Sequence, residues 1–132
     1  MISMSKSKAK GTRAESAVVK FLQSHGIEAE RKALSGSLDR GDVKVVTPEI
    51  WGDTNIALEV KAGKQTANFN RSQFENWWMQ AMVEADNCGD DPALCIVRYN
   101  RSLKDADVYV LHHGMIAHMY LDQFVDYIGK EV

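Results

Sequence analysis

The sequence predicts an α/β domain: a central mixed β-sheet flanked by helices. Two observations carry this. Apolar residues recur with helical period in two long stretches and a short closing one, and short runs between them alternate with period two. The elements also interleave as α-β-β-β-α-β-β-β-α, an order that places helices against a sheet instead of beside one another. The 132 residues, 45% of them hydrophobic and 26% charged, suit one soluble domain.

Residues 1–10 are rich in Ser and Lys and read as a basic flexible arm, with a single domain expected over 11–132. Ala14, Ala17, Val18, Phe21 and Leu22 then mark an amphipathic helix. Thr12 and Glu15 have the spacing of a capping box at its start, and Gly26 suits the turn after it. Ile27 to Arg31 alternates and reads as a short strand, followed by a small, flexible loop over Ala33–Ser37. Gly41–Val46 is a strand that Thr47-Pro48 ends, and 49–55 reads as a loop.

Ile56–Lys61 is the clearest strand. Period two sets Ile56, Leu58 and Val60 on one face, with Glu59 and Lys61 on the other. A second helix is expected from Ser72, capped with Glu75, through Phe74, Trp77, Trp78, Ala81, Met82 and Ala85, until Asn87, Gly89 and Pro92 stop it. Adjacent tryptophans point about 100° apart on a helix. One of Trp77 and Trp78 is therefore expected to be partly exposed or to mark a subunit interface. Leu94–Tyr99 is an apolar strand, Val108–His112 and Met115–Met119 form a hairpin around Gly114, and Leu121, Phe124, Val125 and Ile128 suggest a closing helix.

Net charge is −2, but it is unevenly placed. Residues 1–40 hold eight Lys/Arg and four Asp/Glu, whereas 41–132 hold eight and fourteen. Phosphate contacts need local positive charge, and screening over about 10 Å keeps distant acids from cancelling it. Lys6, Lys8 and Lys10 serve such contacts or form a solvated tail; Lys61, Lys64 and Arg71 make a second basic stretch. Cys88 and Cys95 lie in neither a CxxC nor a Cys/His cluster, as expected of reduced thiols in an intracellular protein. No apolar run approaches the roughly 20 residues that span a bilayer, and no apolar stretch follows the N-terminal charges. A cytoplasmic protein with no membrane partner is expected. His112, His113 and His118 are poor partners for one ion, since adjacent strand residues face opposite ways.

The chemistry-bearing constellation is Asp42, Glu59 and Lys61. If the strands that carry them pair as a hairpin, the two carboxylates meet. At about 4 Å they repel by roughly 4 kcal/mol at an effective dielectric near 20, so they call for a cation or a shared proton. A hard divalent ion such as Mg²⁺, with Mn²⁺ as substitute, is the simplest resolution. Lys61 would then stabilise charge developing on a phosphate. A solvent-facing Glu59/Lys61 pair is the plain alternative.

A longer pattern narrows this. KGTRAE at 10–15, HGIEAERKALSGS at 25–37, GDV at 41–43 and IALEVKAGK at 56–64 together resemble the archaeal-type Holliday-junction resolvases of the PD-(D/E)XK nuclease superfamily. The resemblance implies a restriction-endonuclease-like core and a Mg²⁺-dependent endonuclease acting on branched DNA. It further implies Asp42, Glu59 and the backbone carbonyl of Val60 as metal ligands, Lys61 as the catalytic lysine and Glu15 as a helix-borne acid near the metal. Lys10, Arg13, Arg31, Ser35, Ser37 and Lys64 would meet DNA. Glu15 keeps its capping alternative, and Gln73 or Gln80 lies on the helix from which a glutamine approaches the site in some relatives. Gly41 replaces the proline that often precedes the first acid, and the net acidity departs from the basic archaeal enzymes. A four-way junction needs two cuts, which implies a homodimer. The alternatives are a nuclease of the same superfamily acting on flap, duplex or single-stranded DNA, and a non-catalytic DNA-binding module.

Overall fold

The structure, a computed structural model, describes residues 6–32, 42–52 and 54–129, without the side chains of 6–12 and 50. The expected Ala33–Ser37 loop, with Ser35 and Ser37, and the side chain of Lys10 lie outside the described residues.

Helix α1 spans Lys6–Ser24 and is followed by strands β1 (Ala29–Arg31), β2 (Val43–Val45) and β3 (Ile56–Lys61). Helix α2 (Arg71–Cys88) leads into β4 (Asp91–Ile96), β5 (Asp107–His112), β6 (Met115–Tyr120) and helix α3 (Leu121–Gly129). The strands form one sheet in sequence order from β1 to β6. Every neighbouring pair is antiparallel except β3 and β4, which run parallel with α2 as their crossover.

Alternation along the strands divides the interior in two. Val43, Val45, Leu58, Val60, Cys95, Val108 and Val110 face α1 and α3, packing with Val18, Leu22, Phe124 and Ile128. Leu94 and Ile96 face the other way and pack under Trp77 and Trp78 of α2. The α2 face is also the face of Glu59 and Lys61, because Glu59 stands beside Leu94 and Lys61 beside Ile96 in the parallel register. The sheet thus puts its motif strand in the centre, with one helix lying across the polar side.

Several boundaries differ from the sequence reading. The backbone of α1 begins at Lys6, so Thr12 lies within the helix and caps nothing at its start. The cap of α2 is Asn70, whose side chain accepts from the Gln73 N–H at 2.9 Å, one turn-entry earlier than the Ser72–Glu75 pair. The helix ends as expected, at Gly89 in the left-handed conformation with φ 72°. Strand β4 starts at Asp91 and includes Pro92. Asp91 donates to Asn55 on the β3 side, so Pro92, one residue on, turns its missing donor toward β5, whose ladder begins only at Ala93. Trp77 and Trp78 are both buried, at 8% and 7% exposure. Phe69, in the segment before α2, packs on Trp77 with ring centroids 5.3 Å apart and closes the flank expected to stay open. The β5–β6 turn takes His113 at φ 50° and Gly114 at φ 78°, so His113 is a turn residue and its ring meets that of His112 at 4.2 Å.

Candidate active site

Strand pairing assembles the site. Val43 stands opposite Leu58 in the antiparallel β2–β3 pair, so the next positions outward, Asp42 and Glu59, face each other across the ladder. Asp42 Oδ2 accepts the backbone N–H of Val60 at 2.8 Å, which ties the acid to the end of β3. A residue in a strand directs its N–H and C=O to the same side. The Val60 carbonyl therefore points toward Asp42, while the Lys61 carbonyl, one residue on, accepts Val97 N–H from β4 at 2.8 Å. Two carboxylates and one backbone carbonyl are thereby gathered at one edge of the motif strand.

Glu59 is the unusual member. It is 3% exposed, and its carboxyl is pushed up to about 12, first by burial, then by its contacts with Asp42 and Glu84. Its Oε2 is buried with no hydrogen-bond partner among the described residues. Oxygen donors of this kind suit a hard divalent ion, and an ion beside Glu59 would satisfy the orphaned oxygen and favour the carboxylate. Among the described residues no group of three or more His, Cys, Asp or Glu side chains that could hold a metal ion is present.

Lys61 points to the same face. Its Nζ donates to Gln80 Oε1 of α2 at 2.9 Å, and Gln80 Nε2 donates to Glu84 Oε1 at 3.0 Å. Of the two glutamines considered from the sequence, Gln80 reaches the site, whereas Gln73 contributes its backbone to the helix cap. Glu84 is 3% exposed and was missed in the sequence reading. A signal existed: Trp77, Ala81, Glu84, Ala85 and Cys88 form the helix stripe at i, i+4, i+7, i+8 and i+11, so Glu84 is a carboxylate on a stripe otherwise apolar.

The remaining expected residues lie at the margin. Glu15 of α1 pairs with Arg31 of β1 at 3.5 Å, with side-chain exposures of 16% and 45%. The groups acting on the Glu59 carboxyl are Asp42 and Glu84. Arg13 and Lys64 are exposed, the latter in the short 3-10 turn Lys64–Thr66 that follows β3. Thr66 anchors that turn: its hydroxyl accepts Tyr99 N–H at 2.8 Å and lies 2.8 Å from Gly63 O, and its carbonyl accepts Arg98 Nη1 at 3.0 Å.

A family model described as phage putative PDDEXK endonuclease matches residues 6–125. The chain belongs to this family. The match takes in the whole constellation from Glu15 to Glu84, and the coarse activity it carries is that of a nuclease. Among solved structures the chain is similar to Hjc of Archaeoglobus fulgidus, a Holliday junction resolvase from an archaeal hyperthermophile. The two share 20% identity over 83% of this chain and 88% of that one, with a TM-score of 0.50. At that identity the likeness concerns the fold, and the six-stranded mixed sheet flanked by helices is restriction-endonuclease-like. No curated protein matches the chain. Among the described residues no helix is long and apolar enough to cross a membrane.

Proposed function

We propose that the chain is a divalent-metal-dependent endonuclease that hydrolyses DNA phosphodiester bonds, with a four-way junction as its substrate. The observation that carries the reading is the facing of Asp42 and Glu59 across the β2–β3 ladder, with Lys61 on the same face as Glu59. Asp42, Glu59 and the Val60 carbonyl would hold Mg²⁺ or Mn²⁺, which when bound polarises a phosphoryl oxygen and lowers the pKa of a water. Lys61, a compact cation on a flexible stem, places its ammonium beside the phosphate and offsets the negative charge that builds up during attack. Burial of Glu59 under α2 keeps bulk water from screening these charges.

Arg13, Arg31, Lys64 and the arm at 1–10 with Lys10 supply contacts to the DNA backbone, together with Ser35 and Ser37. Glu15, paired with Arg31, sets that arginine at the rim. One domain over 11–132 carries the site, and two copies supply the two cuts that a junction requires. The test is cleavage of a labelled four-way junction beside a linear duplex made from the same arms, with Mg²⁺ and with EDTA. Paired, Mg²⁺-dependent nicks confined to the junction support the reading. Equal cutting of both substrates removes the junction specificity, and no cutting with Mg²⁺ or Mn²⁺ leaves a DNA-binding module.

A further inference from the structure

Glu84 stands where packing alone would place a leucine. It lies on the buried stripe of α2 between Ala81 and Ala85, at 3% exposure, and charged side chains are rarely buried so deeply without a partner or a task. A buried carboxylate beside the Glu59 carboxyl costs stability, and a well-packed apolar side chain would relieve that cost. Its position has a second consequence. Gln80 is one helical turn earlier, on the same side of α2, and its amide is held at both ends: Oε1 by the Lys61 ammonium at 2.9 Å and Nε2 by Glu84 Oε1 at 3.0 Å.

The two ends of that amide are not interchangeable. A flipped Gln80 would turn its NH₂ toward the ammonium and its oxygen toward the carboxylate, opposing both charges. With Glu84 in place only one orientation satisfies both neighbours, and in that orientation the carbonyl oxygen is presented to Lys61. Lys61 needs such a guide, because a lysine has four rotatable bonds and three equivalent donors, and nothing in its chemistry fixes a direction. Without Glu84 the exposed Gln80 amide is free to rotate, and Lys61 loses its fixed acceptor.

We propose that Glu84 and Gln80 form a positioning relay for Lys61: the buried carboxylate orients the amide, and the amide aims the ammonium over the Asp42–Glu59 pair. Neither residue touches the reacting phosphate, and both act through Lys61. The catalytic part of the relay rests on the proposed nuclease reading; its structural part does not.

The two parts are tested separately on the full chain. In EDTA, lysine labelling by a small amine-reactive reagent is followed by mass spectrometry, with exposed Lys20 and Lys104 as internal references. Glu84→Leu and Gln80→Leu are each expected to raise the labelling rate of Lys61 about threefold or more relative to the references, as expected when a hydrogen bond from the amine is lost. Glu84→Gln, which keeps an acceptor of the same shape, is expected to restore most of the protection. On DNA with Mg²⁺, the two leucine variants are expected to lower kcat about tenfold with KM little changed, the pattern of a lost transition-state contact, and Glu84→Gln to recover part of it. Unchanged Lys61 labelling in both leucine variants, with the fold intact by circular dichroism, overturns the relay. A rise in Lys61 labelling with unchanged kcat also overturns it as a device of the reaction. If the wild-type chain cuts no DNA, the nuclease reading fails, and the labelling result still decides whether the relay holds Lys61.

Discussion

Glu59→Gln probes the carboxyl cluster through stability instead of catalysis. The Glu59 carboxyl is raised from 4.5 to about 12 in the fold, by burial and by Asp42 and Glu84. With EDTA present, the folded protein keeps this proton across neutral pH while the unfolded chain releases it near 4.5. The unfolded state then binds fewer protons than the folded one, so stability falls as pH rises from the unfolded value toward the folded one. The slope for this one group is about 1.4 kcal/mol per pH unit. At pH 7 the accumulated loss is about 3 kcal/mol, and it does not depend on the folded value so long as that value lies well above 7. Gln does not titrate, and its amide offers two N–H donors to Asp42 and Glu84 where the protonated acid offers one O–H. Urea unfolding in EDTA is therefore expected to show Glu59→Gln equal to wild type near pH 4.5 and more stable by about 3 kcal/mol at pH 7. Saturating Mg²⁺ should narrow the gap, because an ion that binds only the folded wild type adds stability to it. A gap that does not change with pH, or a variant less stable than wild type at pH 7, would refute the account of Glu59.

Four further outcomes follow from named contacts. Lys61→Met should fold normally and lower the cleavage rate about 10²–10³-fold, read from single-turnover kinetics, if the ammonium stabilises developing charge. Asp107→Ala should cost about 2 kcal/mol in urea unfolding, since the 8%-exposed carboxylate pairs with Arg98 at 2.8 Å and His118 at 2.7 Å and both would lose that carboxylate. Gly89→Ala should cost about 1 kcal/mol by thermal melt: nothing lies within 4 Å of the added Cβ, so the whole effect is the φ of +72°. Leu58→Ala, at 0% exposure in the larger core, should cost about 3 kcal/mol or more and leave the position of α2 unchanged.

What was legible in the sequence was whatever local periodicity encodes. The alternation in Ile56–Lys61 placed Glu59 and Lys61 on one face, and the spacing of Asp42 and Glu59 allowed the hairpin that the β2–β3 register contains. The end of α2 was legible because Gly89 is a chemical stop signal. What was not legible depended on distant partners. Asn70 and Ser72 are both good caps, and only the observed Gln73 N–H contact picks the first. Burial of both Trp77 and Trp78 depends on Phe69 folding over the helix flank, which no period in the helix reveals. Pro92 enters a strand because the β5 ladder starts one residue later. Glu84 becomes part of the site only once α2 crosses β3, although its place on an apolar stripe marked it as odd.

The central claim is that Asp42 and Glu59 together form the reactive site. Its most direct test is cleavage of a labelled four-way junction by wild type, Asp42→Asn and Glu59→Gln under saturating Mg²⁺, at protein concentrations where all three are shown to be folded. The account expects Mg²⁺-dependent nicks from the wild type and none from either variant, with DNA binding in EDTA retained by all three. Cutting by both variants at rates near wild type would contradict it and place the chemistry elsewhere in the chain.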